Sequence, residues 1–247
     1  MSRSRSRIQL AALYVLHHRP WRDTSRMLEV FARDHGRLTL FARGVRGANS
    51  RTASLLQPFQ PLLGSWSARG DTGQLTQVEP MGEGALPAGA MLSAWYLNEL
   101  LLQLTVRNDP QPAVFDLYHA TLGALRTGEP VQPVLRRFER HLLELLGYGI
   151  DFAREARDGK PLSEATYYHF HADLGFVAIS GSPPPTAFGG RVLLAMAADS
   201  WEAPEVGEEA RRLMRLAIDH ALEGRELRSR TVARSVARST RERDDEQ

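Results

Sequence analysis

The sequence predicts an α+β protein in which a small closed β-barrel of five strands precedes a mainly α-helical domain. The first eighty residues contain short runs of alternating apolar and polar residues, separated by turns that carry glycine. After residue 87, apolar residues recur instead with the period of about 3.6 that is typical of an amphipathic helix. Five strands in so short a stretch leave no room for a crossover helix, which favours a closed barrel.

Two alternating runs form the clearest strand pair in the sequence. Residues 27–33 and 37–43 flank Asp34-His35-Gly36, and a tight turn with glycine between two such runs is typical of a hairpin. The polar, basic stretch at residues 44–54 is expected to be a loop. In full, the five expected strands are residues 8–16, 27–33, 37–43, 59–67 and 74–79.

The chain changes character after residues 80–87, whose glycine and proline content indicates a linker. The clearest helical pattern lies at residues 131–146 and ends at Gly147-Tyr148-Gly149. Further helices are expected at 91–106, 112–125, 208–222 and 227–239, and a short strand pair at 166–172 and 175–180. The expected domains are a barrel at 1–80, a mainly helical domain at 81–239 with an irregular or β insertion near 150–190, and a disordered tail at 240–247.

Composition excludes several classes of protein. The 247 residues include no cysteine, which rules out disulfides, cysteine nucleophiles and thiolate zinc sites. No apolar stretch reaches the roughly 18–20 residues of a membrane span, and the basic, apolar start lacks a small-residue cleavage site, so we expect a cytoplasmic protein. P-loop, Gly-x-Ser-x-Gly and Rossmann glycine patterns are also missing, so we predict neither catalysis nor a cofactor.

The distribution of charge is more informative than its sum. The net charge is only +2, yet residues 1–51 carry eleven arginines against three acidic residues. A basic block at one end of a nearly neutral chain indicates a surface that faces a polyanion. Arginine outnumbers lysine by thirty to one, which either reflects a GC-rich genome or indicates bidentate contacts to phosphate.

The basic block supplies candidate DNA contacts. On a small barrel its side chains can line one groove and follow a phosphate backbone, although a merely soluble surface is the alternative. The candidates are Arg22, Arg26, Arg37, Arg43, Arg46 and Arg51, together with Trp21. We expect Trp21 to lie between strands, where it is the best candidate for stacking on a base, whereas most nearby aromatic residues should fill the barrel.

A second basic set lies on the helix predicted at residues 131–146. Arg136, Arg137 and Arg140 adjoin its apolar face, and arginine beside apolar surface suits an acidic peptide that ends in a carboxylate. Ordinary surface pairs with glutamates one turn along are the alternative. Near the C-terminus, a further stripe of arginines at helical spacing is either a solvated face or a second DNA contact. It comprises Arg230, Arg234, Arg238 and Arg241.

Short segments spread from about residue 14 to residue 230 form a recognisable series. They are residues 15–25 (VLHHRPWRDTS), 36–44, 56–62 (LQPFQPL), 96–101 (YLNELL), 135–139 (LRRFE), 145–149 (LLGYG), 175–176 and 227–230 (LRSR). Each segment alone is weakly specific, but in this order and spacing they resemble the RecO family of bacterial DNA repair and recombination proteins.

The resemblance implies an N-terminal OB-fold, a helical domain, binding of single- and double-stranded DNA, and annealing of complementary strands. It also implies work with RecR, and in many bacteria RecF, to load RecA indirectly onto DNA coated with single-stranded-DNA-binding protein (SSB). Family members recognise the acidic C-terminal tail of SSB through the helical domain. Similarity in the segment at 135–139 makes Arg136 the first candidate for that tail.

The sequence departs from the family pattern in one respect. Many members carry a four-cysteine zinc module after the Gly-Tyr segment, whereas residues 151–174 contain no cysteine, so the zinc module is expected to be absent. His169 and His171 have metal-ligand spacing on one strand, but without a third ligand we predict no metal site. The alternative function is a protein-interaction adaptor whose basic barrel docks acidic partners. A nuclease is disfavoured, because it would need clustered carboxylates.

Overall fold

The computed structural model, which describes residues 6–45, 51–69, 72–82, 85–201 and 204–244, contains an N-terminal barrel. Its strands are β1 (Ser6–Trp21), β2 (Ser25–Ala32), β3 (Gly36–Ala42), β4 (Leu62–Arg69) and β5 (Thr72–Pro80). They close in the order β1-β2-β3-β5-β4, with β3 and β5 parallel and the other neighbours antiparallel. Helices follow the barrel, which confirms the predicted α+β class with a five-stranded N-terminal barrel.

Six longer helices and three short strands follow the barrel in the described part of the chain. A one-turn helix, α1 (Arg51–Leu55), lies before β4, within the stretch expected to be a loop. The later elements are α2 (Met91–Leu104), α3 (Pro112–Arg126), α4 (Val131–Leu145), β6 (Tyr167–His171), β7 (Gly175–Ala178), β8 (Phe188–Gly189), α5 (Gly190–Ala197), α6 (Pro204–Ala221) and α7 (Arg228–Asp244). The sequence did not predict β8 or α5, and α7 extends to Asp244, beyond residue 240 where a disordered tail was expected. None of the described helices is both long and apolar enough to cross a membrane.

The chain forms two compact units. The first contains residues 1–129 together with 227–247, and the second contains residues 130–226. The barrel, α2, α3 and α7 therefore belong to the first unit, and α4, α5, α6 and the sheet β7-β6-β8 belong to the second. The domain boundaries expected from the sequence stay a prediction.

Alternate residues of the barrel strands build its interior. In β3 and from Leu28 onward in β2, the even-numbered side chains point inward and are almost fully buried, as the alternation of side chains in a strand requires. The inward set is Leu28, Val30, Ala32, Leu38, Leu40 and Ala42, joined by Leu13, Val15, Leu62 and Trp66 from the other strands. Burial of each large apolar side chain contributes about 1.5–3 kcal/mol, so this interior is the main source of barrel stability.

A bulge in β1 reverses which side chains face outward. Tyr14 pairs with Phe31, but the register shifts between Val15 and His17, so that Arg19 pairs with Met27 farther along. Before the bulge, the even-numbered residues of β1 lie on the outer face beside the odd-numbered residues of β2. After the bulge, the odd-numbered residues of β1 lie there instead. The strand continues to Trp21. The expectation that Trp21 lies between strands is therefore wrong.

Helices of the first unit cover one end of the outer barrel face. Tyr14 and Phe31 point outward, and their rings lie 5.5 and 5.8 Å from the ring of Phe115 on α3. The ring of Tyr118, also on α3, packs edge-on against Tyr14 at 5.0 Å. These rings are buried, so the contact stabilises the first unit by area and by aromatic geometry together.

Buried polar groups in this contact have partners. The Tyr118 hydroxyl donates to Asn98 Oδ1, and Asn98 Nδ2 donates to the carbonyl oxygen of Leu16 in β1 at 2.9 Å. The Tyr14 hydroxyl lies 2.7 Å from His119 Nδ1. Because a buried polar group without a partner is costly, this chain of bonds specifies how α2 and α3 lie on the barrel.

The carboxylate of Glu29 forms a second tie between the barrel and the segment after α2. One oxygen lies 2.9 Å from Arg37 Nη1, and the other lies 2.6 Å from Arg107 Nη2 and accepts from the Thr39 hydroxyl at 3.1 Å. Arg37 Nη2 also donates to the carbonyl oxygen of Thr105 at 2.8 Å. Three donors thus compensate a carboxylate that is almost fully buried.

The turn before β3 requires glycine for two reasons. Gly36 has a φ of +68°, a conformation that side chains with a Cβ rarely adopt. A Cβ at this position would also lie only 2.1 Å from the carbonyl oxygen of Asp109. The backbone of the segment after α2 therefore approaches β3 closely, and the Asn108 amide donates to the Arg37 carbonyl oxygen at 2.8 Å.

We predict that Glu29→Ala lowers the free energy of unfolding of the first unit by about 2–3 kcal/mol, because two guanidinium groups lose their carboxylate. Urea unfolding followed by tryptophan fluorescence measures this, since Trp21, Trp66 and Trp95 all lie in that unit. Asp158→Asn, which removes the exposed partner of Lys160, is the control and should not move the midpoint. Equal midpoints for Glu29→Ala and the control would contradict a stabilising role for Glu29.

Candidate nucleic-acid and peptide interfaces

The helices leave the other end of the outer barrel face open. Cross-strand pairing places Arg19, Met27, Phe41 and Gln74 in one row across β1, β2, β3 and β5. Trp21 extends this surface along β1, and the exposed Arg43 directly follows β3. We call Arg19, Trp21, Met27, Phe41 and Arg43 the barrel face.

The barrel face combines an aromatic platform with flanking cations. The rings of Trp21 and Phe41 lie 5.3 Å apart at an angle of 47°, and Trp21 is 39% exposed. Arg19 Nη2 lies 3.6 Å from Met27 Sδ, which holds the stem of Arg19 along the surface. A base can stack on flat aromatic rings, and its phosphate can pair with a neighbouring guanidinium group.

The structure places the predicted DNA-binding residues in different environments. Trp21, Arg22 and Arg43 are exposed at the open end, and Arg22 occupies the turn after β1. Arg26 is half-buried and donates to the carbonyl oxygen of Ala53 in α1 at 3.2 Å. Arg46 lies outside the described residues, as does the side chain of Arg51.

Arg37 lies in the covered half of the barrel instead. Its guanidinium group is bound to Glu29 and Thr105, and its side chain is only 14% exposed. Its role in this structure is to attach the segment after α2 to the barrel. We therefore leave Arg37 out of the surface that we assign to DNA.

Sequence reasoning missed Arg19 and Met27 as members of the barrel face. The signal was present in the alternation Arg19-Pro20-Trp21, which continues the strand pattern of β1 beyond residue 16. The bulge at residues 15–17 concealed it, because the apolar phase of the strand changes there.

His18 adds no charge to the barrel face near neutral pH. Its partial burial lowers the pKa of the imidazole below the ordinary value of 6.5, and the nearby charge of Arg26 lowers it further. A hydrogen bond that the imidazole donates to Gln57 raises the pKa and opposes these effects in part. The cations of this surface are therefore arginines, whose charge does not vary across physiological pH.

The second predicted set, on α4, is largely engaged within its own unit. Arg136 is buried, and its Nη2 lies 2.8 Å from Glu139 Oε1. Arg140 Nη1 donates to the Met196 carbonyl oxygen at 3.3 Å, and its guanidinium group lies 5.8 Å from the ring centroid of Phe152. Arg137 is half-exposed on the open side of the helix.

We call Arg136, Glu139, Arg140, His141 and Asp199 the α4 cluster. The charges of these side chains nearly balance. Asp199 lies 3.8 Å from Arg140 and 3.2 Å from His141 Nε2, while Glu139 neutralises Arg136. Among the described residues, however, Nε of Arg136 and Nε of Arg140 are buried and make no hydrogen bond, and the same is true of the acceptor Oδ1 of Asp199. A carboxylate that entered here would meet unused donors, and it would compete with Asp199 for Arg140.

Hydrogen bonds to the buried carboxylate of Glu155 organise residues 155–178. Glu155 Oε1 accepts from the Asp158 amide at 2.8 Å, and Oε2 accepts from the Ala178 amide of β7 at 3.3 Å. The Ala156 amide donates to the Phe176 carbonyl oxygen at 2.7 Å. Within the described ranges, no three histidine, aspartate or glutamate side chains are grouped to hold a metal ion.

Comparison with known proteins gives matches over almost the whole chain. The family model described as "Recombination protein O N terminal" matches residues 8–83, and "Recombination protein O C terminal" matches residues 89–231. The chain is 40% identical to the DNA repair protein RecO of Azoarcus sp. (strain BH72), over 94% of this chain and 98% of that protein. The RecO proteins of Methylococcus capsulatus and Photobacterium profundum are 39% and 40% identical, over 93% and 90% of this chain and 95% and 94% of theirs.

We predict that His18 titrates with a midpoint below 6.5 in the folded protein. Because the folded state prefers the neutral ring, the stability that His18 contributes is present above pH 6.5 and decreases as the pH falls below it. Histidine NMR titration measures the midpoint, and Arg26→Gln should raise it, whereas Arg215→Gln in the second unit should not. A midpoint at or above 6.5, or one that Arg26→Gln leaves in place, would contradict this assignment.

Proposed function

The chain belongs to the RecO family of DNA repair proteins, and we propose that within it the protein acts as a non-catalytic recombination mediator. In this role it binds single- and double-stranded DNA and anneals complementary strands. With RecR, and with RecF where that protein takes part, it helps to load RecA onto DNA that SSB has coated. The observation that carries the proposal is the barrel face, where exposed arginines flank paired aromatic rings.

The barrel face suits DNA binding with little sequence preference. Arginine contacts to phosphate do not depend on the base, and every base can stack on an aromatic ring. Arg19, Arg22 and Arg43 supply the charge, and Trp21 and Phe41 supply the platform. These residues stand on a rigid strand framework that the buried interior holds in place.

Strand annealing follows from the same chemistry. Two complementary strands repel each other through their phosphates, and arginines that neutralise part of this charge lower the barrier to their encounter. Holding one strand on the protein also raises its local concentration for the second. No bond is made or broken, so the proposal requires no catalytic group.

The α4 cluster is the proposed site for the SSB tail. An acidic peptide that ends in a carboxylate can place that group on Arg140, whose pair with Asp199 is long at 3.8 Å, and on the unused Nε atoms of Arg136 and Arg140. Arg137 then meets an acidic residue of the tail from the open side of the helix. Capture of the tail brings the mediator to coated DNA.

The first prediction of this proposal concerns the barrel face. Replacement of Arg19 and Arg43 by alanine should reduce the slope of log K against log salt for single-stranded DNA by about 1.4, since each phosphate contact contributes about 0.7. Trp21→Ala should weaken binding about 5- to 150-fold, in line with the loss of one stacked base. Fluorescence anisotropy with a labelled oligonucleotide at several salt concentrations measures both.

A matched control is available on α6. Arg211 and Arg215 are exposed on a helix of the second unit, so Arg211→Ala with Arg215→Ala removes the same charge elsewhere. If the slope of log K against log salt decreases equally in the control variant and in the barrel-face variant, the barrel face is not the DNA site. If the protein binds acidic polypeptides but shows no salt-dependent DNA binding, the chain is an adaptor for acidic partners instead.

The second prediction separates the two proposed sites. Annealing of complementary oligonucleotides that are each coated with SSB should be fast with full-length SSB and slow with SSB that lacks its tail. Arg140→Ala should slow annealing on coated strands at least about tenfold, the effect of losing one charge-assisted bond, and leave annealing of bare strands unchanged. Equal loss on coated and bare strands would contradict the division into two sites.

A further inference from the structure

The last helix, α7, is anchored where it begins. Its first amides are capped by the carboxylate of Glu99 on α2, which accepts from the amides of Arg228 and Ser229 at 2.7 and 2.8 Å. The Ser229 hydroxyl donates to the same carboxylate at 2.5 Å, and Leu227 just before the helix is buried. A carboxylate at a helix N-terminus is favourable both as a cap and by its charge.

Beyond this anchor, the described side chains of the helix are exposed to solvent. Residues 231–236 and Arg238 are all exposed, and the apolar members Val232 and Val236 are each about half exposed, at 48% and 47%. An isolated helix of this length is only marginally stable in water, because most helical stability in proteins comes from packing. The first unit therefore caps the start of α7, whereas the side chains of residues 231–236 and Arg238 are left exposed.

The charge of α7 differs from that of an ordinary surface helix. From residue 228 to residue 241 the sequence has five arginines and no acidic residue. Arg230, Arg234 and Arg238 follow one another at a spacing of four, so they lie on one side of the helix, about 6 Å apart along its axis. Like charges at this spacing destabilise a free helix, whereas α6 mixes both signs.

We propose that α7 is a second nucleic-acid contact, which binds the phosphate backbone of a strand other than the one on the barrel face. A regular row of arginines matches a regular row of phosphates, and an axial rise of about 6 Å is close to two phosphate steps along one strand of B-form DNA. The residues between the arginines are small (serine, threonine, alanine and valine), which lets a backbone approach closely. An acidic peptide is less suitable, because the apolar surface in the described part of α7 is limited to small side chains such as Val232 and Val236.

This inference rests on the proposed function and deepens it. The barrel face and α7 belong to the same compact unit, so one folded body carries two phosphate-binding surfaces. A protein that holds two strands at once raises the concentration of each for the other. In this arrangement, α7 contributes to the annealing step, whereas binding of the first strand does not require it.

The test compares Arg234→Ala combined with Arg238→Ala against the α6 control, Arg211→Ala with Arg215→Ala. Both changes are made in the full-length protein and in the barrel-face variant. We expect the α7 variant to bind a first single strand on the barrel within about twofold of the unaltered protein. In the barrel-face variant, α7 is the remaining proposed DNA surface. There, the α7 change should reduce the slope of log K against log salt by a further amount of about 1.4. Annealing of bare strands should slow at least about fivefold.

Hydrogen exchange locates the contact directly. Addition of an oligonucleotide should protect the backbone amides of residues 231–238, and the α7 variant should lose that protection while it keeps the helicity seen by circular dichroism. If α7 and α6 variants behave alike in slope and annealing, the inference is wrong and the barrel-face proposal stands. If the unaltered protein binds no DNA, the proposed function itself fails. If polyglutamate protects the same amides as well as DNA does, α7 is a dock for acidic proteins and the inference is overturned.

Discussion

The carboxylate of Glu29 divides the outer barrel face into a covered and an open half. Glu29 lies on the outer face of β2. Its carboxylate forms ion pairs with Arg37 of β3 and with Arg107 of the segment after α2. With the aromatic contact between Phe31 and Phe115, this pairing places the helices over one end of the strands. Among the described residues, the end that carries Arg19, Trp21 and Arg43 is exposed. The position of the proposed DNA surface is thus a consequence of where the helices are attached.

The same residue type has three different roles in this chain, and its surroundings decide which. Arg37 is buried against a carboxylate and stabilises the fold. Arg43 is exposed beside an aromatic platform and is suited to phosphate. Arg136 is buried with Glu139, so its charge is already compensated, although one of its donors is unused. A count of arginines indicates a polyanion partner, but it does not separate these roles.

How much the sequence could predict follows from how local each signal is. Alternation within β2 and β3 and the helical period of α4 depend on neighbouring residues, so the barrel and its following helices were predictable. The continuation of β1 to Trp21 was not, because the bulge after Val15 changes the phase of the alternation. The internal role of Arg37 depends on Glu29, Thr105 and Arg107, two of which lie almost seventy residues away in sequence. Short elements such as β8 and α5 have too few residues to show a period.

The near neutrality of the α4 cluster bears on how a mediator can bind a tail and release it. In the binding that we propose, a partner's carboxylate would replace Asp199 on Arg140, so its net gain would be the difference between two similar ion pairs. Such an exchange gives specificity for a carboxylate at modest affinity, because the site stays compensated when it is empty and no buried charge is left alone on release. Tight binding would instead require an uncompensated buried arginine, which is costly to the fold. Under the proposed function, a site that works by such an exchange would allow repeated capture and release of the tail along coated DNA.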